Sequence, residues 1–229
     1  MKRNIQILVP HPDDEFIYLS DFIKNNHKSI SSIIFFTSGE FQLIRHIDII
    51  SYINTRRKES TNWINYIDKN IDIAWMPFPD SINGYKYLDR DFVVKAYKET
   101  YGITPFEYIC RSVKNMIDEN GILMYISRET FGHSTHHLLN EVGNNIKEKL
   151  SIMYGPQCQF EIRTRKEEYI HIKKKTNFDE KIKEFEYFYP SQKYILSLNG
   201  HKPDKSLYFY VNFYNEYYYY NKLCKLNME

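Results

Sequence analysis

Ile5-Gln6-Ile7-Leu8-Val9-Pro10-His11-Pro12-Asp13-Asp14-Glu15 decides how the rest of the chain is read. Ile5 to Val9 is an apolar run of strand length, and Pro12 forbids its continuation while presetting a turn. One imidazole and three carboxylates then follow within five positions. In an open α/β sheet, side chains just past a strand's C-terminal end are where ligands bind.

From this stretch outward, apolar runs alternate with helical spacing. Phe16 to Asn26 has helical periodicity, with Asp13 to Glu15 placed where a helix dipole favours negative charge. Ile30 to Thr37 reads as a second buried strand, closed by Ser38-Gly39. Thr55 to Ile67 reads as a helix and Ile71 to Met76 as a third strand, followed by the loop Pro77-Phe78-Pro79-Asp80. Phe106 to Glu119 predicts a helix, Ile122 to Ser127 a fourth strand and His136 to Leu150 a helix. Such alternation predicts a Rossmann-like three-layer α/β/α fold with a mostly parallel sheet.

Beyond Tyr154-Gly155-Pro156 the pattern changes. Phe160 to Thr164 and Tyr169 to Ile172 read as short strands, Asp179 to Phe188 and Gln192 to Leu198 as helices, and Leu207 to Tyr220 is dense in aromatics. With no repeat and no linker, residues 1–229 read as a single domain: a core over 1–154 and a smaller C-terminal extension over 155–229 that packs on it.

Composition sets the outer limits. The 229 residues carry a formal net charge of +2, with 42% hydrophobic and 26% charged residues. Lys173-Lys174-Lys175 and Arg163 to Lys166 are short basic clusters that read as solvated surface, so no nucleic-acid partner is expected. Cys110, Cys158 and Cys224 form no CxxC pair, which fits a reducing compartment and excludes a cysteine zinc site. Neither a signal peptide nor a membrane-length apolar run is visible, so the expected location is the cytoplasm.

The residue types after the first and fourth strands complement one another. His11 and Asp14 lie three apart across a tight turn and offer an imidazole nitrogen and a carboxylate oxygen. Gly132-His133-Ser134-Thr135-His136-His137 follows the fourth strand and therefore reaches the same sheet edge. Two His and one Asp leave a fourth tetrahedral position for water, the arrangement that separates catalytic from structural zinc. Asp13 is left over to accept a proton from that water, and a spare histidine of the second cluster could serve an oxyanion. These parts suit hydrolysis of an amide or ester. Each alone has an ordinary reading, an acidic helix start for Asp13 to Glu15 and an exposed helix start for the histidines. Their common position past parallel strands favours the site.

Pro10-His11-Pro12-Asp13-Asp14-Glu15, Thr37-Ser38-Gly39-Glu40 and Gly132-His133-Ser134-Thr135-His136, in this order, resemble the zinc-dependent de-N-acetylases of the LmbE/PIG-L type over roughly residues 5–150. The resemblance implies hydrolytic removal of the acetyl group from an N-acetylglucosamine-type amino sugar borne on a nucleotide, lipid or small glycoconjugate. It implies one zinc ion per chain on His11, Asp14 and His136, Asp13 as general base, and His133 as oxyanion stabiliser or proton donor to the leaving amine. Arg56, paired with Glu59, and Asp80 would bind sugar hydroxyls. Departures from the family pattern are the bulky Phe16 to Leu19, Thr135 where relatives carry an acid or Asn, and Phe131 where some carry Tyr. Two rivals remain: an amidase of the same fold acting on a thiol or other conjugate, and a non-catalytic sugar-binding or assembly module using Tyr217 to Tyr220. A homo-oligomer is left open.

Overall fold

In a computed structural model, residues 3–38, 48–78, 80, 86–125, 134–146, 151–154, 170–175, 178–192 and 215–220 are described. Their strands are β1 (Ile5–Val9), β2 (Ile30–Thr37), β3 (Asp72–Phe78), β4 (Ile122–Tyr125), β5 (Ser151–Tyr154), β6 (Ile170–Lys175) and β7 (Asn215–Tyr220). Their helices are α1 (Asp14–Asn26), α2 (Ile49–Ile67), α3 (Asp91–Tyr101), α4 (Pro105–Lys114), α5 (Ser134–Ile146) and α6 (Phe178–Phe188).

Side-chain alternation along the central strands builds the layers. Ile5, Ile7 and Val9 of β1, Ile33 and Phe35 of β2, and Ile122 and Met124 of β4 pack in one core with residues of α1, α2 and α6, among them Leu19, Trp63 and Phe185. Leu8, Ile34, Phe36, Leu123 and Tyr125 from the same strands pack in a second core with Ile109 and Val113 of α4 and Leu139 and Val142 of α5. A period of two with both faces apolar is what a sheet covered on both sides requires. The fold is a three-layer α/β/α arrangement, Rossmann-like as expected.

The sheet runs in the order β3-β2-β1-β4-β5-β7-β6. β3, β2, β1, β4 and β5 are mutually parallel, whereas β7 is antiparallel to both β5 and β6. The tyrosine-rich Tyr217 to Tyr220 is thus part of a strand of the same sheet. From β1 the chain winds through β2 to β3 on one side and then returns to β4 and β5 on the other. The crevice between β1 and β4 is therefore the topological switch point, where open α/β sheets bind ligands.

Element boundaries differ from the sequence expectations for local reasons. Asp48 accepts a hydrogen bond from Ile50 N, so α2 begins at Ile49 and its first turn exposes Ile49 and Ile50, which hides it from an apolar-periodicity reading. α4 starts on a capping box of Thr104 and Glu107 and stops at Lys114. Four residues further on, the buried Gln6 amide accepts from Asp118 N at 2.5 Å. β3 runs on through Pro77 to Phe78. α3 and β5 were not expected. α3 buries none of its residues, and β5 is a four-residue strand beyond the end of α5. The expected strand at Phe160 to Thr164 and residues 193–198 lie outside the described residues. No helix among the described residues is long and apolar enough to cross a membrane.

Candidate metal centre

The acidic turn is built by backbone geometry that its own side chains hold in place. Asp13 adopts φ 105° and ψ −29°, the only non-glycine residue with positive φ among those described. That conformation costs energy for an L-residue and persists where surrounding contacts over-determine it. Here Glu15 Oε2 accepts from Asp13 N at 2.8 Å, and Arg56 donates to the Pro12 carbonyl. Phe16 N and Ile17 N bond to the Asp13 carbonyl at 3.0 and 2.9 Å, which starts α1. Thr37, at the end of β2, grips the Pro10 carbonyl with both its N and its Oγ1 at 3.0 Å. Asp13 makes no side-chain cap bond, so its carboxylate is not used up as a helix cap.

The two motifs meet across the switch point. His11 Nδ1 lies 3.0 Å from Asp14 Oδ2, and His136 Nε2 lies 3.3 Å from the same oxygen. One ligand atom from each of the three residues falls within 4.8 Å of the other two, and all three residues are buried. Ligands at about 2.0–2.1 Å from a tetrahedral zinc are separated from one another by about 3.4 Å, so this donor set fits the ion. α5 brings His136 into range by packing closely on β4, where a Cβ added to Gly143 would lie 2.5 Å from the Tyr125 ring.

Electrostatics agree with a cation site. Burial opposes charge on Asp14, but His136 and His11 outweigh it and hold this carboxyl well below the usual carboxylate range. Burial likewise opposes charge on His11, yet hydrogen bonds to Asp14 and Asp80 raise it to about 10. The cluster therefore demands positive charge, supplied by an imidazolium proton or by a metal ion that displaces it. Burial pushes the Asp13 carboxyl up to about 7 against the pull of Arg56.

The remaining expected residues occupy distinct places. Asp80, its side chain 1% exposed, lies 3.0 Å from His11 Nε2 and accepts from Thr135 Oγ1 at 2.6 Å. A carboxylate on the far nitrogen of a metal-binding imidazole fixes the ring's tautomer and orientation. Thr135, the departure from the family pattern, thus supports the carboxylate that supports His11. Arg56 pairs with Asp13 Oδ2 at 3.1 Å and is itself buried. Glu59 accepts from Ser191 N and Oγ at 2.8 and 2.5 Å. His133 lies outside the described residues, as do Gly39 and Glu40 of the second motif.

Sequence reasoning missed the supports that come from far along the chain. Tyr189 donates to Glu15 Oε1 at 2.6 Å, and burial pushes the Glu15 carboxyl up to about 8. Arg57 donates to Ser38 Oγ while stacking over Trp75 at 5.1 Å. Gln192 reaches Asp13 and Arg56. The signal open to the sequence was the tight triplet Tyr189-Pro190-Ser191 after an amphipathic helix, which carries no chemistry by itself.

No family model matches the sequence, and no curated protein does. Solved structures do match in shape. A teicoplanin-pathway deacetylase in complex with bog superposes with a TM-score of 0.59 at 12% identity, over 94% of this chain and 96% of that one. The A40926 pseudoaglycone deacetylase gives 0.60 at 12% identity, over 96% and 97%. A zinc-inhibited form of teicoplanin deacetylase gives 0.59 at 12% identity, over 94% and 97%. The shared architecture, reached at low identity and over nearly the whole chain, shows that this protein has the fold of those deacetylases.

Proposed function

We propose that this chain is a zinc-dependent hydrolase that removes the N-acetyl group from an N-acetylglucosamine-type amino sugar. The observation that carries the reading is the convergence of one ligand atom each from His11, Asp14 and His136 within 4.8 Å, directly beside an Asp13 whose carboxylate neither caps the helix nor joins that donor set. The similar solved structures are those of deacetylases, one of them in a zinc-inhibited form, which supports the activity and the binding of zinc on this fold.

His11, Asp14 and His136 would hold zinc, with Asp80 orienting His11. Bound there, zinc would polarise the amide carbonyl and lower the pKa of water to about 7. Asp13 accepts a proton from the attacking water as the water oxygen bonds to the carbonyl carbon. Arg56, on Oδ2, holds the carboxylate during this transfer. His133 keeps the role the resemblance gives it, donating to the developing oxyanion or protonating the amine as the C–N bond breaks. Acetate and a free amino sugar are the products. The resemblance also gives Arg56 and Asp80 sugar hydroxyls to bind, beside the contacts they make with Asp13 and His11. We read residues 1–229 as one domain, since β6 and β7 extend the sheet of the core, and keep the cytoplasm as its expected place.

Acetate release should be measured from N-acetylglucosamine and its nucleotide, lipid and glycoside conjugates, with acetylated thiol conjugates alongside. The reading expects release from a sugar of this set, loss on chelation and recovery with zinc. Release only from a thiol conjugate would move the assignment to that amidase class. A zinc-loaded chain that releases acetate from none of them would end the assignment.

A further inference from the structure

Helix α6 is tied to α1 and α2 by more than apolar packing. Lys181 Nζ donates to the Ile17 carbonyl at 2.8 Å, and Glu184 accepts from Trp63 Nε1 at 2.9 Å while pairing with Lys24. Phe185 and Tyr189 stack on one another, with ring centroids 5.1 Å apart, and both lie against Phe16. These contacts fix the exit of α6 on the face formed by α1 and α2. The Tyr189–Glu15 and Ser191–Glu59 hydrogen bonds then set the next turn, residue by residue.

That turn delivers Gln192, itself buried, between the two charged side chains of the site. With its nitrogen turned to the carboxylate, the amide donates to Asp13 Oδ2 at 3.2 Å and its oxygen accepts from Arg56 Nε at 2.8 Å. The opposite orientation would set oxygen against carboxylate and nitrogen against guanidinium, leaving both pairings unmade. Arg56 and Gln192 therefore grip the same oxygen of Asp13 from two directions. A carboxylate held on one oxygen by two donors, each anchored elsewhere, has lost its torsional freedom, and its second oxygen has a fixed direction. Proton transfer needs that fixed direction, because misplacement by a fraction of an ångström is felt in the rate.

We propose that Gln192 is a positioning residue for Asp13, an amide clamp supplied from just past the end of α6 that bridges the Asp13 carboxylate and the Arg56 guanidinium. The proposal rests on the reading of Asp13 as the base. It assigns a catalytic purpose to a part of the chain outside every motif quoted above. A residue that only satisfied buried charges would alter stability when replaced. A positioning residue alters turnover.

The full-length, zinc-loaded protein and its Gln192→Ala and Gln192→Glu variants should be compared with N-acetylglucosamine as the probe, together with zinc affinity and crystal structures. Gln192→Ala should lower kcat by about ten- to a hundredfold, the scale of one hydrogen bond to a charged group, with KM and zinc affinity unchanged. Asp13 should then occupy more than one side-chain conformer. Gln192→Glu keeps the shape but sets a like charge against Oδ2, so its kcat should fall further, and it carries the test if the alanine variant does not fold. An unchanged kcat with Asp13 in its parental conformer would overturn the clamp while leaving the deacetylase reading intact. If the parent releases no acetate from the probe, the reading of the substrate fails, and the Asp13 conformers in the two variants still decide the clamp.

Discussion

Asp13→Asn should bind zinc as the parent does and lose about 10²–10⁴-fold in turnover, the contribution of a positioned general base. The substitution isolates the base because little else changes. Asn tolerates the left-handed backbone better than most residues, so φ 105° at this position is not an obstacle to folding. Its side-chain oxygen can still accept from Arg56, and Glu15 still receives the backbone N–H. His11, Asp14 and His136 are untouched. What is removed is the ability to take a proton. The check is kcat on the preferred acetylated sugar beside a zinc titration of the same preparation. Full turnover in the variant would remove Asp13 from the mechanism, and loss of zinc would show that it belongs to the metal site instead.

His136→Ala should have the largest effect on the metal. It deletes one of three donors, and loss of a mere supporting partner already lowers metal affinity by about 10–100-fold. Zinc affinity should therefore fall by more than that range in a competition titration against a chelating dye. A second readout follows from linkage. Zinc at about 100 times its Kd stabilises the parent by about 2.7 kcal/mol, seen as a rise in Tm, and the same zinc concentration should leave the variant's Tm nearly unmoved. Asp14 also loses the neighbour that contributes most to holding its carboxyl ionised. Equal zinc affinities in parent and variant would place the ion elsewhere.

Local pattern carried the central sheet and little of what stabilises the site. β1 and β2 could be read to the residue because each is a buried apolar run closed by a breaker, Pro10 and Pro12 after one and Ser38-Gly39 after the other. The convergence of His11, Asp14 and His136 was legible because two chemically complementary motifs follow parallel strands, which forces them to one edge of the sheet. α3 was not legible, since a helix that buries none of its residues leaves no apolar stripe, and Phe92 and Tyr101 on it are exposed. The start of α2 depended on a single cap at Asp48, and β5 was too short to separate from the helix before it.

Contacts of long sequence separation around the site were the hardest to see. Glu15 and Tyr189 are 174 positions apart and Glu59 and Ser191 are 132 apart, so no window of local sequence contains both partners. Arg56 is the instructive case. The resemblance gives it, with Glu59, a sugar contact, and the tertiary fold adds what the sequence does not show: its guanidinium sits on Asp13 and the Pro12 carbonyl, and Glu59 sits on Ser191. Thr135 shows the converse. It breaks the family pattern in sequence, yet its hydroxyl supports Asp80 and, through Asp80, the His11 ring.

The claim on which the chemistry depends is that one cation joins the turn after β1 to the helix after β4. Diffraction from a zinc-soaked crystal, recorded on both sides of the zinc absorption edge, tests it most directly. One anomalous peak per chain is expected, about 2.0–2.2 Å from His11 Nδ1, Asp14 Oδ2 and His136 Nε2. A peak that leaves any of these three atoms out of reach, or no peak at the switch point, would contradict it.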